Sequence, residues 1–164
     1  YSVSDIAALF LINHTFNWAF AGRIGALVGR IGERKALTFE YCGLICVFTA
    51  YAFVDNATWA GVLYVADHLF FSLDIAIKTY FQKIADPADM ASTAGVAFTI
   101  NHIAAVFIPA LFGLVWLVSP ALVFLMGAVL AFVSLILARN IPSNPRQGHE
   151  VLWRVDASAK TPSL

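Results

Sequence analysis

Three residues of one apolar stretch could do chemistry at membrane depth: Asp67, Asp74 and Lys78. At 100° per residue they fall within about 40° of one another on one helix face. Asp74 and Lys78 are spaced i,i+4, the favourable order for an acid–base pair. A charge at a bilayer centre costs about 2.5–3.5 kcal/mol on insertion scales, so such groups face a cavity or a partner. A proton can neutralise Asp67, which makes it the better proton carrier. Asp74 is expected to stay ionised beside Lys78, and Lys78 can also snorkel to the membrane edge. His14 and His102 lie near the middle of two other apolar stretches, and imidazole titrates near physiological pH. Asn17, His68 and Asn101 are the remaining polar groups at similar depth, beside Asn13. The less specific reading of all of these is hydrogen-bonding glue between helices.

Enzyme signatures are absent. There is no G-x-x-x-x-G-K-[ST], H-E-x-x-H or G-x-S-x-G. Asp86-Pro87-Ala88-Asp89 places two carboxylates at a helix end, where they complement an N-terminal dipole rather than build a metal site. Cys42 and Cys46 sit four apart in an apolar run and are expected to fill space as small apolar residues. No metal or cofactor is expected.

The elements that must position these groups are membrane helices. The chain has 164 residues, 60% of them hydrophobic and 12% charged, where soluble domains carry about 25% charged residues. Ten basic and ten acidic residues leave no net charge, so no basic field points to nucleic acid as a partner. A bilayer core about 30 Å thick needs roughly 20 apolar residues at helical rise. Five stretches, about 5–28, 36–54, 59–81, 91–116 and 120–138, meet that length. The runs are continuous and far longer than a barrel strand of about 10 residues. The expected fold is therefore an all-α polytopic transmembrane bundle over residues 1–140. Residues 141–164, with Pro142, Pro145 and Pro162, read as a flexible polar cytoplasmic tail. No signal peptide is visible at Tyr1, which suggests a piece of a longer protein or one whose start was removed.

Loop charges set the orientation. Arg30, Arg34 and Lys35 lie in the first connection, Lys78 and Lys83 near the third, and Arg139, Arg146, Arg154 and Lys160 in the tail. The connections at Asp55-Asn56 and Ser119-Pro120 carry no Lys or Arg. Cationic connections stay cytoplasmic, so the chain starts outside and ends inside a plasma (inner) membrane.

The first inner connection reads Gly25-Ala26-Leu27-Val28-Gly29-Arg30-Ile31-Gly32-Glu33-Arg34-Lys35. It resembles the loop motif of the major facilitator superfamily, G-x-L-x-D-R-x-G-R-K/R, through Gly25, Leu27, Arg30, Gly32 and Arg34 or Lys35. Gly29 departs where the family has Asp, and Glu33 where it has a basic residue. Polar groups on the first, third and fourth helices, with nothing stronger than Cys42, Cys46 or Ser134 on the second and fifth, resemble the last five helices of one six-helix half. The missing Asp favours the C-terminal half. The resemblance implies a secondary transporter that moves a small solute by alternating access. Protons are the expected coupling ion. Asp67, Asp74, Lys78, His14, Asn17, His68, Asn101 and His102 would line the path, with Gly25, Arg30, Gly32, Arg34 and Lys35 as a conformational loop. Its partners would be the solute or ion, protons, the bilayer and the rest of the transporter. Two other readings compete: a membrane haem protein with His14 and His102 as axial ligands, and a transporter-like scaffold.

Overall fold

The computed structural model describes residues 2–153, and among these every regular element is helical. Each helix starts and stops for a local reason. Ser2 caps α1 (Val3–Ile31) in a reciprocal capping box with Asp5. Gly32 ends it at φ 85° and at once begins α2 (Glu33–Tyr51). That left-handed backbone suits glycine, and it reverses the chain with no further loop. Asn56 caps α3 (Ala57–Phe71) by accepting from the Thr58 amide at 2.8 Å. A tight 3-10 turn, Ser72–Asp74, joins α3 to α4 (Ile75–Ile84) within one span. There the Ser72 hydroxyl donates to the Leu69 carbonyl at 2.6 Å, a local bond that competes with the regular helical ladder. α5 (Met90–Trp116) follows an Asx-type turn, in which Asp86 Oδ1 accepts from the Ala88 amide. Pro120 opens α6 (Pro120–Arg139) at its first turn, where proline's missing N–H is no loss.

The five expected spans correspond to α1, α2, α3 with α4, α5 and α6. Three of them, Ala57–Ile84, Met90–Trp116 and Pro120–Arg139, are long and apolar enough to cross a membrane by length and composition. α1 and α2 do not reach that standard. Asn13, His14, Asn17 and Arg23 dilute the first, and Glu33, Arg34, Lys35 and Glu40 the second.

Packing centres on α2. It lies most extensively along α6 and also against α3, the 3-10 turn, α4 and α1. Its buried stripe runs Glu33, Ala36, Leu37, Glu40, Gly43, Leu44 and Val47, at helical period. α6 meets it with Ala128, Ala131 and Ala138, small side chains that let the helix axes approach. Gly43 receives the Phe70 ring so closely that an added Cβ would lie 2.3 Å from it. Val28, Ala36, Leu37, Leu73, Ala76, Ala138 and Ile141 form one tight cluster at the end of the bundle where α1 meets α2.

α5 packs on α6 and buries none of its own residues. Val96, Phe98, Ile100, Val106, Phe107 and Leu111 stand outward from it, as lipid-facing or protein-facing groups do. Gly95 and Gly113 meet no neighbour within 4 Å.

The connections that carry Lys and Arg gather at one end. Lys83 Nζ lies 2.6 Å from Glu33 Oε1. The Tyr80 hydroxyl donates to the Glu150 carbonyl at 2.7 Å, and Gln147 Nε2 donates to the Ala85 carbonyl at 2.9 Å. At the opposite end Tyr51 stacks on Phe124 at 4.7 Å, and Trp116 meets the same ring edge-on. The chain after α6 is expected to leave the bundle as a flexible tail, yet residues 141–153 fold back on it. Ile141, Pro142 and Pro145 are buried. Asn140 accepts from the Leu152 amide with its carbonyl and from the Trp153 amide with Oδ1. Arg154 and Lys160 lie outside the described residues.

Candidate functional site

The polar groups sort into two layers. The first lies between α1 and α3, which pack against each other and run in the same direction. Phe10 meets Tyr64 edge-on at 6.0 Å between ring centres. Three residues further along both helices the register brings Asn13 level with Asp67. Asn13 is 5% exposed, and neither its Nδ2 nor the Tyr64 hydroxyl has a hydrogen-bond partner. Such unsatisfied buried donors cost roughly 1–3 kcal/mol each, and they mark places where a ligand or water earns its hydrogen bonds. Asp67 is half-buried with its Oδ2 3.6 Å from His68 Nδ1, longer than a direct hydrogen bond. His68 Nδ1 also lies 3.0 Å from the Tyr64 carbonyl, and the two rings sit 4.4 Å apart.

The structure does not assemble all the expected path residues into this layer. Asn17 is half-buried on α1, one turn beyond Asn13, but His14 points away and is exposed. Asn101 and His102 are exposed on α5, where His102 Nδ1 stays 3.0 Å from the Phe98 carbonyl and its ring lies on Phe98. α1 and α5 share no substantial interface, so this chain by itself does not bring His14 and His102 to one axial site. The face expected for Asp67, Asp74 and Lys78 is widened by the 3-10 turn, which lies between Asp67 and Asp74 and leaves the phase of Asp74 and Lys78 unchanged. Three residues wound at three per turn advance the phase by about 60°. Among the described residues the ion pairs are Asp67–His68 and Glu33–Lys83. Lys78 is exposed rather than paired with Asp74.

The second layer is acidic and was missed in the sequence. Glu40 is 1% exposed in the stripe of α2, and its Oε2 has no hydrogen-bond partner. α2 is thus not empty of strong polar groups. The signal was present in the spacing. Glu33, Glu40 and Val47 recur every seven residues, together with Ala36, Leu37, Gly43 and Leu44. Cys42 and Cys46 lie on the opposite, exposed face of α2 and fill no interior space.

At the basic end, the stretch expected as a conformational loop is helical apart from Gly32, with Gly25 and Arg30 in the last turns of α1 and Arg34 and Lys35 in the first turn of α2. Ile75 approaches the position of a Gly25 Cβ to 3.7 Å, which lets α1 and α4 cross closely. Arg34 and Lys35 line a cleft of about 520 Å³ with Thr38, Phe39 and Arg139. Arg30 is exposed. Glu33 departs from a basic loop pattern for a visible reason. Its carboxylate turns into the bundle and takes Lys83, from the end of α4, as its cation.

No family model matches the chain, and no solved structure does. A curated relative, the uncharacterized MFS-type transporter MJ1317 of Methanocaldococcus jannaschii, is 24% identical over 128 residues. The match covers 77% of this chain and 32% of the relative, so the chain spans about a third of that protein's length. The chain is an all-helical bundle of membrane-spanning type, similar over most of its length to part of an MFS-type transporter.

Proposed function

We propose that this chain is part of a secondary active transporter of the major facilitator type, in a plasma (inner) membrane, that moves a small solute by alternating access. The observation that carries the reading is the similarity to an MFS-type transporter across 77% of the chain. It is supported by an apolar bundle that nevertheless holds Asn13, Tyr64, Asp67 and His68 together between two helices. A group of this kind suits binding of a solute or proton better than packing, because its donors are left unsatisfied in the resting arrangement.

In this mechanism Asp67 takes up a proton from one side and passes it on when the transporter rearranges, with His68 as its immediate partner. Asn17 and Asn13 offer amide groups to the solute. Asn101, His102 and the outer face of α5 act where the rest of the transporter meets this part. Arg30, Arg34 and Lys35 bias the inward and outward states through their different surroundings in each. A ligand or proton shifts such an equilibrium only by its differential affinity for the two states.

The test uses the full-length protein in proteoliposomes with a trapped pH-sensitive dye. Candidate solutes that raise thermal stability are then offered with and without an imposed pH gradient. Asp67→Asn is expected to abolish gradient-driven accumulation and to retain solute exchange, because exchange needs no net protonation cycle. If Asp67→Asn still concentrates the solute, Asp67 is structural and the proton route lies elsewhere.

A further inference from the structure

The buried stripe of α2 carries two glutamates seven residues apart, and only one of them has a cation. Glu33 is bound to Lys83. Glu40 is enclosed at 1% exposure, with Oε2 sealed from solvent and unpartnered. Because that oxygen is already closed off inside this chain, neither lipid nor further protein can reach it without a rearrangement.

The groups around Glu40 can be named element by element. α2 runs antiparallel to α3, and Gly43 touches Phe70. Glu40 lies three residues before that contact on α2, and Asp74 four residues after it, at the end of the 3-10 turn that follows α3. At α-helical rise, and about 2.0 Å per residue through the 3-10 turn, these are displacements of about 4.5 and 7.5 Å in the same direction. Asp74 therefore stands within about one turn of the level of Glu40, on a turn that packs against α2. Tyr41 is the next residue on α2 and is half-buried. α6 contributes Ala128, Ala131 and Ala138 to the buried interior, and its Arg139 is exposed. From α4, Lys83 is taken by Glu33, Tyr80 donates to Glu150, and Lys78 is exposed. From α1, Arg23 lies over the Phe20 ring at 5.4 Å, and Arg30 is exposed. On α3, Asp67 and His68 face each other, two turns before Asp74. Among the described residues no cation is paired with Glu40.

An uncompensated carboxylate in such a place costs several kcal/mol, and a second carboxylate beside it adds repulsion. The neutral acid avoids both. The position also has mechanical meaning. Asp74 ends the 3-10 turn that interrupts the third span, and mid-span turns of this type are frequent hinges.

We propose that Glu40 is a proton-binding site, and that its proton holds α2 closed against the Ser72–Asp74 hinge. Release of that proton to water leaves two like charges facing each other across the hinge. Their repulsion drives α4 away from α2 at the end that carries the basic connections. The site is distinct from Asp67 and does not depend on the transport reading.

The experiment uses the full-length protein in lipid nanodiscs, with no substrate. Infrared spectroscopy is expected to show the carbonyl stretch of a protonated carboxyl at neutral pH, retained in Asp67→Asn and lost when Glu40→Gln is added to Asp67→Asn. Spin labels at Phe39→Cys and Ile77→Cys, with Cys42 and Cys46 replaced by Ser, report the separation of α2 and α4. That separation should lengthen as the band is titrated away in the parent protein. It should stay short at every pH in Glu40→Gln, whose neutral amide mimics the acid. Asp74→Asn should keep the band and lose the lengthening. A band that survives in the Asp67→Asn, Glu40→Gln double variant, or a separation that still follows pH in Glu40→Gln, overturns the proposal. Should Glu40→Gln fail to fold, Asp74→Asn decides alone, and lengthening as in the parent overturns it. Failure to find a transported solute leaves these readouts untouched, and failure here leaves the uptake test untouched.

Discussion

Replacing Lys83 with Ala should destabilise the basic end of the bundle through Glu33, a residue on another helix. Glu33 is 2% exposed and Lys83 49%, with Nζ and Oε1 2.6 Å apart. At that distance and an effective dielectric constant of about 20 the attraction is roughly 6 kcal/mol. Desolvation of Glu33 and the half-exposed position of Lys83 offset most of it. A net coupling of about 1–3 kcal/mol remains, below the 3–5 kcal/mol lost when a fully buried pair is broken. Lys83→Ala should therefore cost about 2 kcal/mol, since it leaves the 2%-exposed Glu33 carboxylate uncompensated. Glu33→Gln alone should cost less, because Lys83 can turn to water. The double variant should be no worse than Lys83→Ala, since no buried charge then remains. The assay is a double-mutant cycle on unfolding of the full-length protein in detergent, followed by circular dichroism under conditions where unfolding is reversible. A coupling below about 0.5 kcal/mol would refute the reasoning, since surface pairs typically reach that level. Glu33 would then be solvated or protonated, and Lys83 an ordinary surface cation.

Gly43→Ala should cost about 1–3 kcal/mol by overpacking against Phe70, and Phe70→Leu should recover part of it. An unchanged unfolding midpoint would mean that α2 and α3 pack more loosely than the structure has them. Cysteines at Asn56 and Ser119 should react with an impermeant thiol reagent from outside intact cells, after Cys42 and Cys46 are replaced. Cysteines at Arg34, Lys83 and Arg146 should not. Labelling of position 34 from outside would invert the assignment. Arg34→Ala should slow transport while leaving equilibrium solute affinity largely intact, because the residue lines the cleft at the basic end rather than the α1–α3 polar layer. An affinity loss as large as the rate loss would place it in the binding site instead.

Much of the architecture was legible before any packing was known, and the reasons are local. An apolar run of about 20 residues must satisfy its own backbone in lipid, which leaves helix as its only form here. Gly32, Asn56 and the Ser119-Pro120 step are boundaries in the structure because their backbone and capping preferences belong to the residues themselves. Basic connections shared one end, as their alternation along the chain requires. The candidate site was less legible. Asp67 and His68 could be picked as membrane-depth polar groups, but Glu40 was passed over because a glutamate in an otherwise apolar helix carries no label saying which way it faces. His14 and Asn13 are adjacent in sequence and opposite in surroundings, one exposed and the other buried. Uniform helical spacing put Asp67, Asp74 and Lys78 on one narrow face, while the actual chain winds tighter at Ser72–Asp74 and turns Asp67 away from the other two by about 60° of added phase. Composition and hydrophobic run length determined that this is an all-α membrane bundle and where its helices begin and end. Only the tertiary structure decided that Glu33 takes Lys83, that Glu40 takes no cation, and that residues 141–153 close the basic end. Partner choice depends on residues far apart in the chain, and no periodicity in a single helix contains that information.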